Sequence, residues 1–125
     1  MSNEIEQGRS LIFRAGGHVY ACPIDAVREV VPLEQITRLP GAPLFVSGLI
    51  NVRGTIVTVI DAGLYLHSRT CRAPGSIMLI DIGTRLVGLL VDTVVDVRSV
   101  RLDEGYEHLD VRAIVARVVA ITEET

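Results

Sequence analysis

The sequence predicts a mostly β domain, a small barrel or sandwich, from three observations. Short runs rich in Val, Ile and Leu recur at about ten-residue spacing. Turn dipeptides, Gly16-Gly17, Arg53-Gly54 and Gly83-Thr84, separate them. Finally, apolar residues make up 49% of the 125-residue chain, yet they come in brief stretches cut by Gly, Pro, Arg and Asp. Strands this short cannot bury a face alone, so they must pair and fold over one another.

Residues 10–15 and 18–22 flank Gly16-Gly17, a dipeptide free to take the positive φ angles of a tight hairpin. From Ile24 the period changes: Ile24, Val27, Val30 and Val31 fall at helical spacing and Pro32 would stop the turn, which predicts a short helix. Residues 35–39 form a further candidate strand before Pro40-Gly41-Ala42-Pro43, where the chain must change direction. Residues 48–52 and 55–60 read as strands around Arg53-Gly54, the second apolar on both faces and therefore interior. A short helix over 62–66, capped by Asp61, is expected next. Residues 67–75 form a polar loop that divides the sequence near its middle, and 77–82, 86–91 and 94–100 are strands beyond it. Residues 112–121 mix Ala, Val and Arg and fit a strand or a helix.

A chain of this length fits one domain, hiding roughly two-thirds of the surface its unfolded form exposes. Mean hydropathy is high at +0.42, but no run approaches the roughly 18 apolar residues of a membrane-spanning helix. The N-terminus is acidic and polar and lacks the pattern of a secretory signal, which predicts a cytoplasmic protein. All 12 basic residues are Arg. Without lysine there is no Schiff-base chemistry and no P-loop. The net charge of −3, with arginines scattered among acids, gives counterion-release binding to nucleic acid little to work with.

The candidates for chemistry are few. His18, His67 and His108 have no metal-ligand spacing and read as solvated loop histidines, so neither metal nor cofactor is expected. Cys22 and Cys71 read as thiols, Cys22 a small core residue and Cys71 exposed in the polar loop. The sharpest enzymatic hint is an aspartate after an apolar strand, in Val59-Ile60-Asp61-Ala62-Gly63 and again in Leu90-Val91-Asp92-Thr93-Val94. Aspartic proteases place such a residue in an Asp-Thr/Ser-Gly turn. Asp61 lacks the hydroxyl and Asp92 the glycine, so capping and turn formation explain both better. An aspartic-protease-like hydrolase using Asp61 and a small-ligand barrel are the alternatives to an interaction module.

The stretch Pro40-Gly41-Ala42-Pro43-Leu44-Phe45-Val46-Ser47-Gly48-Leu49-Ile50-Asn51-Val52-Arg53-Gly54 resembles the signature of the CheW-like family. There, Pro-x-x-Pro is followed by Gly, Asn, an apolar residue, Arg and Gly. The likeness extends to Val27-Arg28-Glu29-Val30, to residues 56–61 and to residues 85–92, covering about 10–120 in order. It implies two small five-stranded SH3-like β-barrels packed together with short helices. It also implies a flexible N-terminus over 1–9, a domain of two intertwined β subdomains over 10–121 divided near 67–75, and a tail over 122–125.

The resemblance further implies a non-catalytic coupling scaffold linking chemoreceptor cytoplasmic tips to the regulatory domain of the histidine kinase CheA, or a divergent module of another signalling system. Carried over by position, the partner-binding residues are Val27, Glu29, Gly48, Asn51, Arg53 and Gly54 in the first half, with Val87, Gly88 and Asp92 in the second. Arg53 and Glu29 are expected to pair, and Val27 and Val87 to wall an apolar groove. Two local departures stand out: Thr58 where the family has Pro, and Ala62-Gly63 after Asp61. Family members continue past a strand like 112–121 into another strand and a helix. An open sheet edge and self-association through it are therefore expected, unless 112–121 closes the barrel itself.

Overall fold

Residues 8–71 and 75–123 are described in the structure, a computed structural model. In chain order the elements are β1 (Ser10–Ala15), β2 (His18–Pro23), a 3-10 turn (Ile24–Ala26), β3 (Glu29–Pro32), β4 (Val46–Val52), β5 (Thr55–Asp61) and α1 (Ala62–His67). After the midpoint come β6 (Ser76–Asp81), β7 (Leu86–Val91), β8 (Thr93–Arg98), a second 3-10 turn, β9 (Glu107–His108) and α2 (Val111–Glu123). Residues 1–7, 72–74 and 124–125 lie outside the description, and with them most of the expected N-terminal segment and part of the dividing loop.

The strands form two sheets, one ordered β8-β1-β2-β9 and the other β3-β6-β7-β5-β4. Each takes strands from both sides of the sequence midpoint, so neither half could build its sheet alone. The β1–β2 hairpin runs from Ser10↔Pro23 to Ala15↔His18 and leaves Gly16 and Gly17 as its whole turn, both at positive φ. β5 is interior, antiparallel to β4 and parallel to β7.

Among the described residues neither ladder closes through regular strand pairing, but the second is drawn together beyond β3. Thr37 and Leu49 exchange backbone hydrogen bonds of 2.9 and 2.8 Å, joining the segment after β3 to β4. Gly48 makes this crossing possible: a β-carbon there would lie 2.2 Å from the Thr37 carbonyl oxygen.

Alternation along the central strands explains two cores. Met78, Ile80, Val87, Leu89 and Val91 face a large cluster with β1, β2 and α2, while Ile77, Leu79, Leu90, Val57 and Val59 fill a second. The second sheet is thus buried on both faces at its centre.

Two expectations are corrected and one open choice is settled. The helix from Ile24 ends after one 3-10 turn, and Val30 and Val31 lie instead in β3 opposite Met78 and Ile77. Three residues cannot meet the cost of helix nucleation, and β-branched valines gain more by pairing on a pleated strand, Val31 inward and Val30 outward. Residues 35–39 are not a strand; only Thr37 pairs. Residues 112–121 are helical, and α2 extends into the expected tail through 123. Asp110 caps it, its carboxylate accepting from the Ala113 N–H at 3.1 Å. Val111, Val115, Val118 and Val119, at helical spacing, are buried against the large core. This segment packs as a helix on the large core and pairs with no strand among the described residues, so it does not close either ladder.

Candidate functional site

The β4–β5 hairpin turns in two residues, because Val52 pairs with Thr55. Such a turn matches strand twist only with positive φ at both positions. Gly54, at φ 89°, takes it freely, whereas Arg53, at φ 48°, carries a β-carbon into the left-handed region, which costs about 1–2 kcal/mol. The Asn51 side-chain oxygen accepts from the Gly54 N–H at 2.7 Å and ties the turn. Held this way, the guanidinium of Arg53 meets the carboxylate of Glu29 on β3 in a two-pronged contact, Nη1 to Oε2 at 3.1 Å and Nη2 to Oε1 at 2.5 Å. That hydrogen bonding holds the Glu29 carboxyl below the usual carboxylate range and raises Arg53 further. The side chains stay 70% and 37% exposed. An exposed pair adds little to stability, so the strained turn is not explained by folding alone.

Beside the pair opens a cleft of about 720 Å³. Ile77 forms its floor, Val31, Leu49, Ile50, Val52 and Ile56 its apolar walls, and Glu34, Gln35, Asn51 and Arg53 its polar edge. Ile56 is 61% exposed. An apolar trough with a polar rim suits an amphipathic segment of another protein, and its described lining holds no pairing of nucleophile and base.

The sequence-derived residues divide here. Glu29, Asn51, Arg53 and Gly54 come together at the β4–β5 turn, where Asn51 and Arg53 line the cleft, with Gly48 buried beneath the Thr37 crossing. Val27 is half-buried against the large core and does not line the cleft. Val87 cannot wall a groove, because it is fully buried in that core. Gly88 is packing: a β-carbon there would sit 2.8 Å from Ile77 Cγ2. Asp92 is buried and accepts from the Gly16 and Gly17 N–H groups at 3.3 and 3.1 Å, holding the first hairpin. Sequence reasoning missed Val31, Gln35, Leu49 and Ile56. The available signal was Ile56, the apolar residue next to the Arg53-Gly54-Thr55 turn and opposite in pleat to Val57.

The protease reading fails on the aspartates themselves. Asp61 accepts from the Leu64 N–H at 3.0 Å, capping α1, and from the Thr70 hydroxyl at 2.8 Å and the Cys71 N–H at 3.3 Å. It and Asp92 each fasten a different turn rather than sharing a proton. Cys71 is not exposed: its Sγ–H donates to the Leu90 carbonyl at 3.2 Å, and burial pushes the thiol up. Cys22 is the expected core thiol, pushed up to about 12 by burial. His18 and His67 are not independent loop residues, since their rings stack at 3.7 Å. Among the described residues no group of three or more His, Cys, Asp or Glu could hold a metal, and no helix is long and apolar enough to cross a membrane.

A family model described as a CheW-like domain matches residues 9–124. The chain is 38% identical over 96 residues to a protein named Chemotaxis protein CheW from Rhizobium meliloti (strain 1021), covering 74% of this chain and 62% of that one. It is 32% identical over 96 residues to the protein of the same name from Klebsiella aerogenes, covering 75% and 58%. It thus spans about three-fifths of the length of these relatives. The crystal structure of scaffolding protein TtCheW from Thermoanaerobacter tengcongensis is similar in fold, with a TM-score of 0.68 and 30% identity over 78% of this chain and 64% of that one.

Proposed function

Because this chain belongs to the CheW-like domain family, we propose that it is a non-catalytic coupling scaffold of bacterial chemotaxis, working in the cytoplasm between chemoreceptor tips and the regulatory domain of the histidine kinase CheA. The observation that carries the reading is the Glu29–Arg53 pair, held at the edge of an apolar cleft by a strained turn yet left exposed. Features that cost stability and add little back are characteristic of contact surfaces.

Glu29, Asn51, Arg53 and Gly54 are the contact residues of this proposal. Gly48 shapes the cleft, and Val27 supports β3 from the core side. The cleft's apolar walls receive a helical segment through residues at i, i+3, i+4 and i+7. The unit doing this is one domain of two β subdomains, and it needs no cofactor.

Mixing receptor cytoplasmic fragments clustered on vesicles, a CheA-type kinase and this chain tests the reading. The kinase is expected to sediment with the vesicles only when the chain is added. Equal sedimentation without the chain, or a chain that binds neither component, would overturn it.

A further inference from the structure

The turn of the β1–β2 hairpin packs directly on α1, and this contact joins the two sheets, since α1 continues from β5. Two glycines allow the approach. A β-carbon on Gly63 would lie 2.2 Å from the Arg69 carbonyl oxygen and 3.1 Å from Gly16, so the Ala62-Gly63 departure noted above is matched by Gly16 across the seam. Against this backbone contact lies a cluster of rings. His18, at the start of β2, and His67, at the end of α1, stack with centroids 3.7 Å apart and planes within 11° of parallel. The Tyr20 hydroxyl hydrogen-bonds His67 Nε2. The Tyr20 and His67 ring centroids lie 5.7 Å apart, and His18 Nδ1 is 3.4 Å from the Gly16 carbonyl oxygen.

The other charged groups at the seam come from three further places. Glu107 on β9 is in register with Tyr20, Arg69 follows α1, and Asp92 binds the Gly16-Gly17 turn. His67 lies below the ordinary histidine range, first because of burial, then because of the charge on His18, with Glu107 opposing and Arg69 adding to the effect. A neutral pair stacks without penalty, and a single positive charge is offset by the nearby carboxylate of Glu107. Two imidazolium rings this close repel each other.

We propose that the stacked His18–His67 pair is a proton-sensitive latch on the seam between the two sheets, closed while at most one ring is protonated and released by the second proton. This goes beyond the coupling function and does not depend on it. Since His67 prefers the neutral form in the folded chain, the latch contributes fully above the unfolded value of 6.5 and is lost as pH falls through that value toward the lower folded one.

Amide hydrogen exchange of the full chain by NMR, corrected for intrinsic rates and compared at about pH 7.5 and about pH 5.5, reads the seam. Protection at Gly16, Gly17 and Arg69 is expected to fall about tenfold on acidification, while Thr37 and Leu49, where the segment after β3 joins β4, stay unchanged. His67→Gln should abolish the pH dependence. His18→Gln, at an exposed position and so safe for folding, should raise the midpoint of the His67 ring-proton titration. Unchanged protection in the natural chain, the same acid response in His67→Gln, which would assign it to Asp92 or Glu107, or a His67 midpoint indifferent to His18→Gln would each overturn the latch.

Discussion

At the β4–β5 turn, the paired side chains of Arg53 and Glu29 stay in reach of solvent, whereas on β7 Val87 is sealed from water and Gly88 is walled by Ile77 and Val59. Both regions carry motif residues of one family and both contain a glycine, yet for opposite reasons. Gly54 is needed for its positive φ, and nothing lies within 4 Å of where its β-carbon would be. Gly88 has no unusual backbone angle but has no room for a side chain. A motif can therefore mark a surface in one half of a chain and a packing constraint in the other.

The widest separation between the regions should come from introducing a charge. Val87→Asp buries a carboxylate among apolar side chains and is expected to cost more than about 4 kcal/mol, removing the cooperative urea transition. If Val87→Asp folds normally, β7 is not the core strand described here. Next, the two glycines can be compared directly. Gly88→Ala should lose about 1–3 kcal/mol through overpacking, while Gly54→Ala should lose about 1 kcal/mol through backbone strain alone. Equal melting curves for the two variants would erase the distinction.

The extent to which these regions were legible in the sequence follows from the kind of signal each carries. Gly16-Gly17, Arg53-Gly54 and Asp61 announced themselves, because turn and cap chemistry is local. Residues 24–31 did not, since β-branched residues at helical spacing suit a strand as well, and the choice was made by β6, far along the chain. The ambiguity of 112–121 is likewise settled by which face finds a core. Within the site, Glu29 and Arg53 were found as a pair, but Val87, Gly88 and Asp92 were placed with them because motif position does not reveal burial.

Smaller effects probe buried groups away from the rim. Asp61→Ala removes the cap of α1 and the partner of Thr70 and Cys71, and should cost about 1–2 kcal/mol by denaturant melting. A variant as stable as the natural chain would reduce these contacts to incidental ones. Cys22, pushed up to about 12, should not react with a disulfide reagent near pH 8 until denaturant is added, because the thiolate is the reactive form. Rapid modification of the folded chain would place it outside the core.

The rim itself is best tested with Arg53→Ala, measured for binding to a receptor cytoplasmic tip and to a CheA-type regulatory domain by calorimetry, alongside its thermal unfolding. Loss of an exposed pair should leave the melting temperature unchanged, while affinity for at least one partner falls about tenfold or more. Binding equal to that of the natural chain in a fully folded Arg53→Ala would contradict the assignment of the coupling surface to the Glu29–Arg53 rim.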